Sequence, residues 1–202
     1  MMRERLLWGL ILAPVFYYVG LIGGGLLWPG YSHVSQYASE LGSAASPQPW
    51  FFNLFAILCG LAGLVGGIGL SSGLSRLSGR RGWSLAAGLS LSLWGISVIL
   101  AGLYPMPHDL HGAYGLGMAG HLTPLLTLVA LRSVEGMRGL KIFLAVVFVA
   151  SLAMFLVMMG VTGPLPLARI GIYQRVNSAL SIPYLAVLGW VLLQRLKRAP
   201  AE

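Results

Sequence analysis

Six stretches of the chain are almost continuously apolar, at about 6–28, 51–74, 84–104, 115–131, 142–161 and 173–193, and short polar segments separate them. Each is too long for a strand of a soluble fold, whereas roughly 20 apolar residues are what an α-helix needs to cross the hydrocarbon of a bilayer. The pattern predicts an all-α polytopic membrane protein, a six-transmembrane-helix bundle forming one domain over residues 1–202. The fourth stretch is the shortest, and the pattern allows its helix to start as early as Asp109. The first follows Arg3 and Arg5 as a signal peptide would, but it exceeds the apolar region of about 7–15 residues that such a peptide carries. The small residues Ser43, Ala44, Ala45 and Ser46 lie far beyond its end, so a retained first helix is expected.

Composition agrees: 57% of the residues are hydrophobic and 9% charged, where a soluble domain carries about a quarter charged residues. The formal charge of +8 is not gathered in a groove or stripe, which argues against nucleic-acid binding. It falls in short loops between apolar runs. One set of segments holds Arg3, Arg5, Arg76, Arg80, Arg81, Arg132, Arg138, Lys141, Arg195, Lys197 and Arg198, and the other only Arg169 and Arg175. The positive-inside rule places the first set, and both termini, in the cytoplasm. Glu4, Glu135 and Glu202 share that face, while Glu40 and Asp109 balance the two outer arginines. The whole formal charge thus faces the cytoplasmic leaflet, where anionic membrane lipids are the expected partners. The inner membrane of a prokaryote is the expected location. The single cysteine, Cys59, lies inside an apolar run, forms no intrachain disulfide and reads as a packing residue.

Small residues set the helix contacts. The third stretch carries Gly88, Ser90, Gly95, Ser97 and Gly102, the first Gly20 and Gly24, and the second Gly63 and Gly67. Helices in lipid associate through close backbone approach rather than a hydrophobic drive. These glycine-rich faces serve packing within the chain or, alternatively, a homo- or hetero-oligomer. The three outward-going helices end alike, at Gly25–Pro29, Gly102–Pro105 and Gly163–Pro166. Three hairpins in a ring would bring those ends together.

All four histidines fall on that outer side, with Tyr31, Ser32, Ser35, Tyr37, Ser39 and Gln174. Ionisable groups at or near membrane depth are costly and usually functional. The first outer loop, 31–42, reads as a short helix with Ser32, Ser35 and Ser39 on one side and Gly42 as its C-cap. It would present His33, Ser35, Ser39 and Glu40 to a pocket, or its serine hydroxyls would cap and brace the loop while Glu40 pairs with an arginine. In the second, His108 and His111 are i, i+3 neighbours in a helix and candidate ligands for zinc or another divalent metal. A third ligand would have to be His33, Glu40 or Asp109. Without a metal, Asp109 would orient one histidine as a general base, or simply cap the fourth helix. His121 sits inside the fourth stretch with Gly117 and Gly120 beside it, placed for a hydrogen bond to a neighbouring helix. A haem or pigment ligand is its minor alternative. Arg175 would clamp an anionic group or pair with an acid. The charges predict a network of Glu40, Asp109, Arg169 and Arg175, with Arg175 nearest its centre.

Tyr31-Ser32 with Ser35 and Ser39-Glu40-Leu41-Gly42, then Tyr104-Pro105 with a downstream histidine, then Gly171 to Arg175 before the last helix, resemble the bacterial and archaeal six-helix membrane family catalogued as domain of unknown function family 998. The resemblance implies the six-helix fold and no activity. The residues themselves support an outward-facing polar site of a lipid-directed intramembrane hydrolase or lipid-modifying enzyme. In that reading His108 or His111 is the base, Asp109 its orienter, Ser35 or Ser39 the nucleophile or polar positioner, and Arg175 the anion clamp. His33, Glu40, His121 and Gln174 would complete the ligand contacts. The alternative is a non-enzymatic binder of a lipid or small molecule, or an accessory subunit of a membrane complex.

Overall fold

The structure is a computed structural model and describes residues 5–198. Of the charges assigned to the two faces, Arg3, Glu4 and Glu202 lie outside the described residues. The helices are α1 (Trp8–Leu26), α2 (Pro49–Ser78), α3 (Arg81–Leu103), α4 (Ala119–Leu131), α5 (Arg138–Met158), α6 (Ile170–Ser181) and α7 (Tyr184–Arg198). Short 3-10 segments occupy Ala38–Gly42, Asp109–Met118 and Leu167–Arg169, and no strand occurs among the described residues. Among the described residues, six units are long and apolar enough to cross a membrane: α1, α2, α3, Asp109–Leu131, α5 and Leu167–Arg198. The six expected spans are therefore present, and the fourth does begin at Asp109, as a 3-10 segment that turns into α4. An even number of spans puts the first and last described residues, Arg5 and Arg198, at one end of the bundle.

Two boundaries differ from the hydropathy pattern. The sixth span is two helices, because Pro183 offers no N–H and its ring disfavours a continuing helix. The fifth ends at Met158 rather than at the Gly163-Pro164 step, with Gly160 (φ 76°) taking the chain out of the helix.

Consecutive spans pack side by side, and α7 returns to α1, so the three hairpins close into a ring. The glycines are used within the chain. A Cβ on Gly95 would lie 2.6 Å from the Gly60 carbonyl oxygen, and one on Gly88 would lie 2.5 Å from that of Gly67. Backbone touches backbone along the α2–α3 seam, as helix association in lipid requires. An oligomer built on those faces would have to displace these contacts. Gly20 and Gly24 are likewise covered, by Phe55 and by Leu41 with Phe52.

Leu7, Leu10, Leu70, Leu74, Leu188 and Leu192 are fully buried and form a dry core in the half of the bundle next to the termini. Cys59 belongs to this core. The outside is apolar too: Val15, Ile22, Val65, Leu89, Val146 and Val149 are all exposed, as suits a chain solvated by lipid. At the termini end, Lys141 Nζ donates to the carbonyls of Arg132 (3.0 Å) and Val134 (2.7 Å) and closes the α4–α5 turn. The other half of the bundle is not solid, and the histidine-bearing loops cover it.

Candidate functional site

The first loop is not a single helix. Residues 33–36 form a turn and the 3-10 segment starts only at Ala38, so Ser32, Ser35 and Ser39 do not share a face. Ser32 Oγ accepts from the amides of Val34 and Ser35, both at 3.3 Å, and so braces the turn. Ser35 is exposed. Gly42 is not a left-handed cap: it is the last residue of the 3-10 segment, and a Cβ there would meet the Asn53 side chain. Asn53 Nδ2 donates to the Gly42 carbonyl (2.9 Å), fixing the loop to α2.

The turn docks on the start of α6. A Cβ on Gly171 would stand 2.5, 2.6 and 2.8 Å from the carbonyl oxygens of Gln36, His33 and Val34. Only glycine lets the loop backbone come this near. The Ile172 amide, one of the orphan donors of a helix start, reaches the Val34 carbonyl at 3.1 Å. One turn on, Arg175 completes the joint. Its Nη1 donates to the carbonyls of Gln36 (2.7 Å) and Gly171 (3.0 Å), its Nε to His33 Nδ1 (3.3 Å), and its Nη2 to the Tyr31 hydroxyl. The guanidinium carbon lies 5.7 Å from the Tyr31 ring centroid, within cation–π range.

This corrects the expected charge network. Among the described residues, no ion pair joins Arg175 to Glu40 or Asp109, and the arginine is satisfied by neutral acceptors. Glu40 accepts from Gln36 Nε2 (3.1 Å) and the Tyr37 amide (2.7 Å). Asp109 and Arg169 are exposed. The arginine expected to clamp an anion instead spends its donors on the first loop. Its charge is felt there: burial first, and then Arg175, hold His33 below its ordinary pKa of 6.5, so its Nδ1 stays an acceptor. Burial holds the Tyr31 phenol above its ordinary 10.0 against the opposing pull of Arg175. Tyr31 therefore stays protonated and donates to the Tyr37 carbonyl at 2.9 Å.

In the second loop His108, not Asp109, caps the following segment: its Nδ1 accepts from the Leu110 amide at 3.1 Å. His111 Nδ1 lies 3.0 Å from the Tyr104 carbonyl oxygen. A carbonyl only accepts, so the proton sits on Nδ1 and Nε2 is the free acceptor of the neutral ring. The group that orients His111 is thus a backbone carbonyl rather than Asp109. Ser39 Oγ donates to Met106 Sδ (2.9 Å), and no hydrogen bond joins it to a histidine among the described residues. No three of the His, Cys, Asp and Glu side chains converge as a metal site among the described residues, so His108 and His111 lack a third ligand.

Behind these loops lie two cavities. One of about 300 Å³ is lined by Ser39 and Ala38 of the first loop, His111 and Gly112 of the second, and Tyr17, Ser97, Ala101 and Gln174 of the helices. A second, of about 260 Å³, lies deeper, lined by Trp94, His121, Phe155, Asn177, Ser181 and Tyr184 among others. Tyr17, Val98, Gly117 and Gln174 line both, so the two adjoin. Gln174 links loop to chamber: its Oε1 accepts the Ala38 amide. His121 packs against Phe155, with ring centroids 4.7 Å apart.

Of the residues singled out in the sequence, Ser39, His111, His121 and Gln174 line the chambers. His33, Glu40 and Arg175 build the loop joint, His108 is a cap, and Ser35 and Asp109 face outward. Sequence reasoning missed Tyr17, Asn177, Ser178 and Ser181. The last three were detectable: with Gln174 they recur at positions 174, 177, 178 and 181, one polar stripe at helical spacing inside an apolar span.

Over residues 11–191 the chain matches the model of a family described as Protein of unknown function (DUF998). No curated protein and no solved structure matches it.

Proposed function

The chain belongs to the DUF998 family, and from that premise we propose that it is a membrane-embedded binding protein for a lipid or lipid-like small molecule, held in the paired chambers beneath the histidine-bearing loops. The observation that carries this reading is the chamber itself: about 300 Å³ joined to about 260 Å³, with mostly apolar walls and a few convergent polar groups. Such a composition suits ligand binding, in which apolar walls supply affinity and a few polar groups supply orientation. The Arg175 joint, on this reading, is what holds the first loop over the chamber. The positive-inside rule puts the basic end in the cytoplasm and the chamber mouth on the extracytoplasmic side of a prokaryotic inner membrane. Homo- or hetero-oligomeric assembly, as an accessory subunit of a membrane complex, is compatible with this role.

A hydrolase is the second reading. One observation favours it: His111, with a free Nε2, lines the same cavity as Ser39. Catalysis asks for a nucleophile within about 3 Å of its base, whereas Ser39 is bonded to Met106.

The test is mass spectrometry of small molecules that co-purify with the protein. Ala101→Trp fills the outer chamber from α3. A bound lipid-like species present in the wild type and depleted in Ala101→Trp is the expected result. Identical extracts from both proteins would remove the reading. Turnover of a bound lipid that stops in His111→Ala would transfer it to the hydrolase.

A further inference from the structure

The walls of the deep chamber narrow the class of ligand, on the premise that the chambers bind one at all. Among the described residues no Arg, Lys, Asp or Glu lines it, so a charged headgroup would be left there without a counter-ion, which is strongly unfavourable. Its wall also includes the break in the sixth span, with Ser181 and Ile182 on one side and Tyr184 on the other. Non-helical backbone at membrane depth is found where it lines a cavity or is buried in protein.

The wall's serine hydroxyls have spent their protons, and three side chains keep an unspent amide or imidazole N–H. Ser178 donates its hydroxyl proton to the Gln174 carbonyl (2.8 Å) or that of Arg175 (3.2 Å). Ser181 donates to the Asn177 carbonyl at 2.7 Å. Gln174 has its Oε1 fixed on the Ala38 amide, so its NH2 group is the free end. His121 Nδ1 and Asn177 Oδ1 are sealed away with no hydrogen-bond partner among the described residues. An orphaned buried N–H is rarer than an orphaned acceptor. The His121 proton therefore belongs on Nε2, and the Asn177 amide keeps its NH2 on the open side. What Gln174, His121 and Asn177 leave for a ligand is a set of N–H donors.

We infer that the deep chamber receives an uncharged hydrogen-bond acceptor, a carbonyl-type headgroup on a hydrocarbon tail, held by the side-chain N–H groups of His121, Asn177 and Gln174. The volume of about 260 Å³ corresponds to roughly nine waters at about 30 Å³ each, which suits a headgroup rather than a whole lipid. A quinone ring and a fatty ester share this chemistry. Phe155 beside His121, and Trp94 in the same wall, give a flat ring two aromatic neighbours.

The experiment titrates the purified full chain in detergent with five probes: decyl-benzoquinone, methyl decanoate, decane, decyltrimethylammonium and decanoate. Binding is followed calorimetrically. Both carbonyl probes should bind about tenfold or more tighter than decane, the worth of one hydrogen bond, and the two ionic probes should bind no better than decane. The quinone outranking the ester selects the ring source, and the reverse selects the ester; either order supports the inference. Asn177→Leu and His121→Phe should each weaken the carbonyl probes about tenfold and leave decane within about threefold. His121→Gln, which keeps a donor, should retain binding within about threefold and guards against a folding defect in His121→Phe. Carbonyl probes that bind no better than decane, or that ignore both Asn177→Leu and His121→Phe, overturn the headgroup inference and leave the binding reading standing. If no probe binds at all, both fall.

Discussion

Replacing Gly171 with alanine tests whether the start of α6 holds the first loop by close backbone contact. The new Cβ would stand 2.5–2.8 Å from three carbonyl oxygens, where ordinary contact begins at 3.4 Å, so the loop must retreat by about 0.6–0.9 Å. None of the three obstacles is a flexible side chain able to swing aside: all are backbone. A retreat of that size stretches the Arg175 Nη1 bond to the Gln36 carbonyl from 2.7 Å to roughly 3.6 Å, beyond a useful hydrogen bond. The bond from the Ile172 amide to the Val34 carbonyl, already 3.1 Å, goes with it. A neutral hydrogen bond contributes about 1 kcal/mol and one to a charged group about 1.5–3 kcal/mol. The docked loop should therefore lose about 3 kcal/mol, or roughly 100-fold in its docking equilibrium. Hydrogen exchange across residues 31–42 reads this directly as a comparable fall in protection. Gly139→Ala is the control, because its Cβ meets nothing within 4 Å; it should leave protection unchanged. Exchange in Gly171→Ala within about threefold of wild type would refute the docking geometry.

Arg175→Lys should also release the loop. A single ammonium cannot serve Tyr31, His33 and Gln36 at once as the planar fork does, and a loss of about 1–3 kcal/mol is expected in the same exchange measurement; wild-type protection in the lysine variant would mean that charge alone suffices. His33 should make stability depend on pH. The unfolded chain binds its proton near pH 6.5 and the folded chain only at lower pH, so the unfolded state holds more protons in that window. The His33 contribution is then complete above pH 6.5 and is lost as pH falls through the folded value. Unfolding midpoints should drop on acidification, less so in His33→Gln, and an identical slope in that variant counts against the Arg175–His33 contact. Gly95→Ala should cost about 1–3 kcal/mol by overpacking the α2–α3 seam, since its Cβ would lie 2.6 Å from the Gly60 carbonyl oxygen and the Leu64 amide nitrogen. An unchanged unfolding midpoint in denaturing detergent would be incompatible with that seam.

The spans were legible because length and apolarity are properties of the sequence itself. Their interruptions were not. Pro14 and Pro124 lie inside α1 and α4, whereas Pro183 separates α6 from α7. The same residue type leaves two helices continuous and breaks a third, because the outcome depends on whether neighbouring groups accommodate the freed carbonyl. The fourth span raised a similar difficulty: its 3-10 opening at Asp109–Met118 has the hydropathy of an α-helix and a different rise.

The expectation for Arg175 failed for a reason that bears on function. Charge counting sought a carboxylate, since a lone charge at the membrane boundary is costly. A guanidinium, however, has five donors in a fixed fork and is satisfied by any acceptors arranged to match. The turn at residues 33–36 cannot spend all its carbonyls internally, and two of them point at the start of α6: Val34 to an amide, Gln36 to Arg175. Carbonyl direction is invisible in a sequence, so the neutral solution could not be foreseen. The stripe at positions 174, 177, 178 and 181 could have been. It also explains why α6 carries both features: one side, through Gly171 and Arg175, fastens the loop, and the other, through Gln174 and Asn177, faces the chambers. Gln174 bonds the loop backbone at Ala38 and lines both cavities, so movement of the loop must shift a chamber donor. A loop freed by Gly171→Ala should therefore weaken ligand binding as well as lose protection from exchange. Loss of protection with unchanged ligand affinity would separate the lid from the chamber and assign Gln174 to the lid alone.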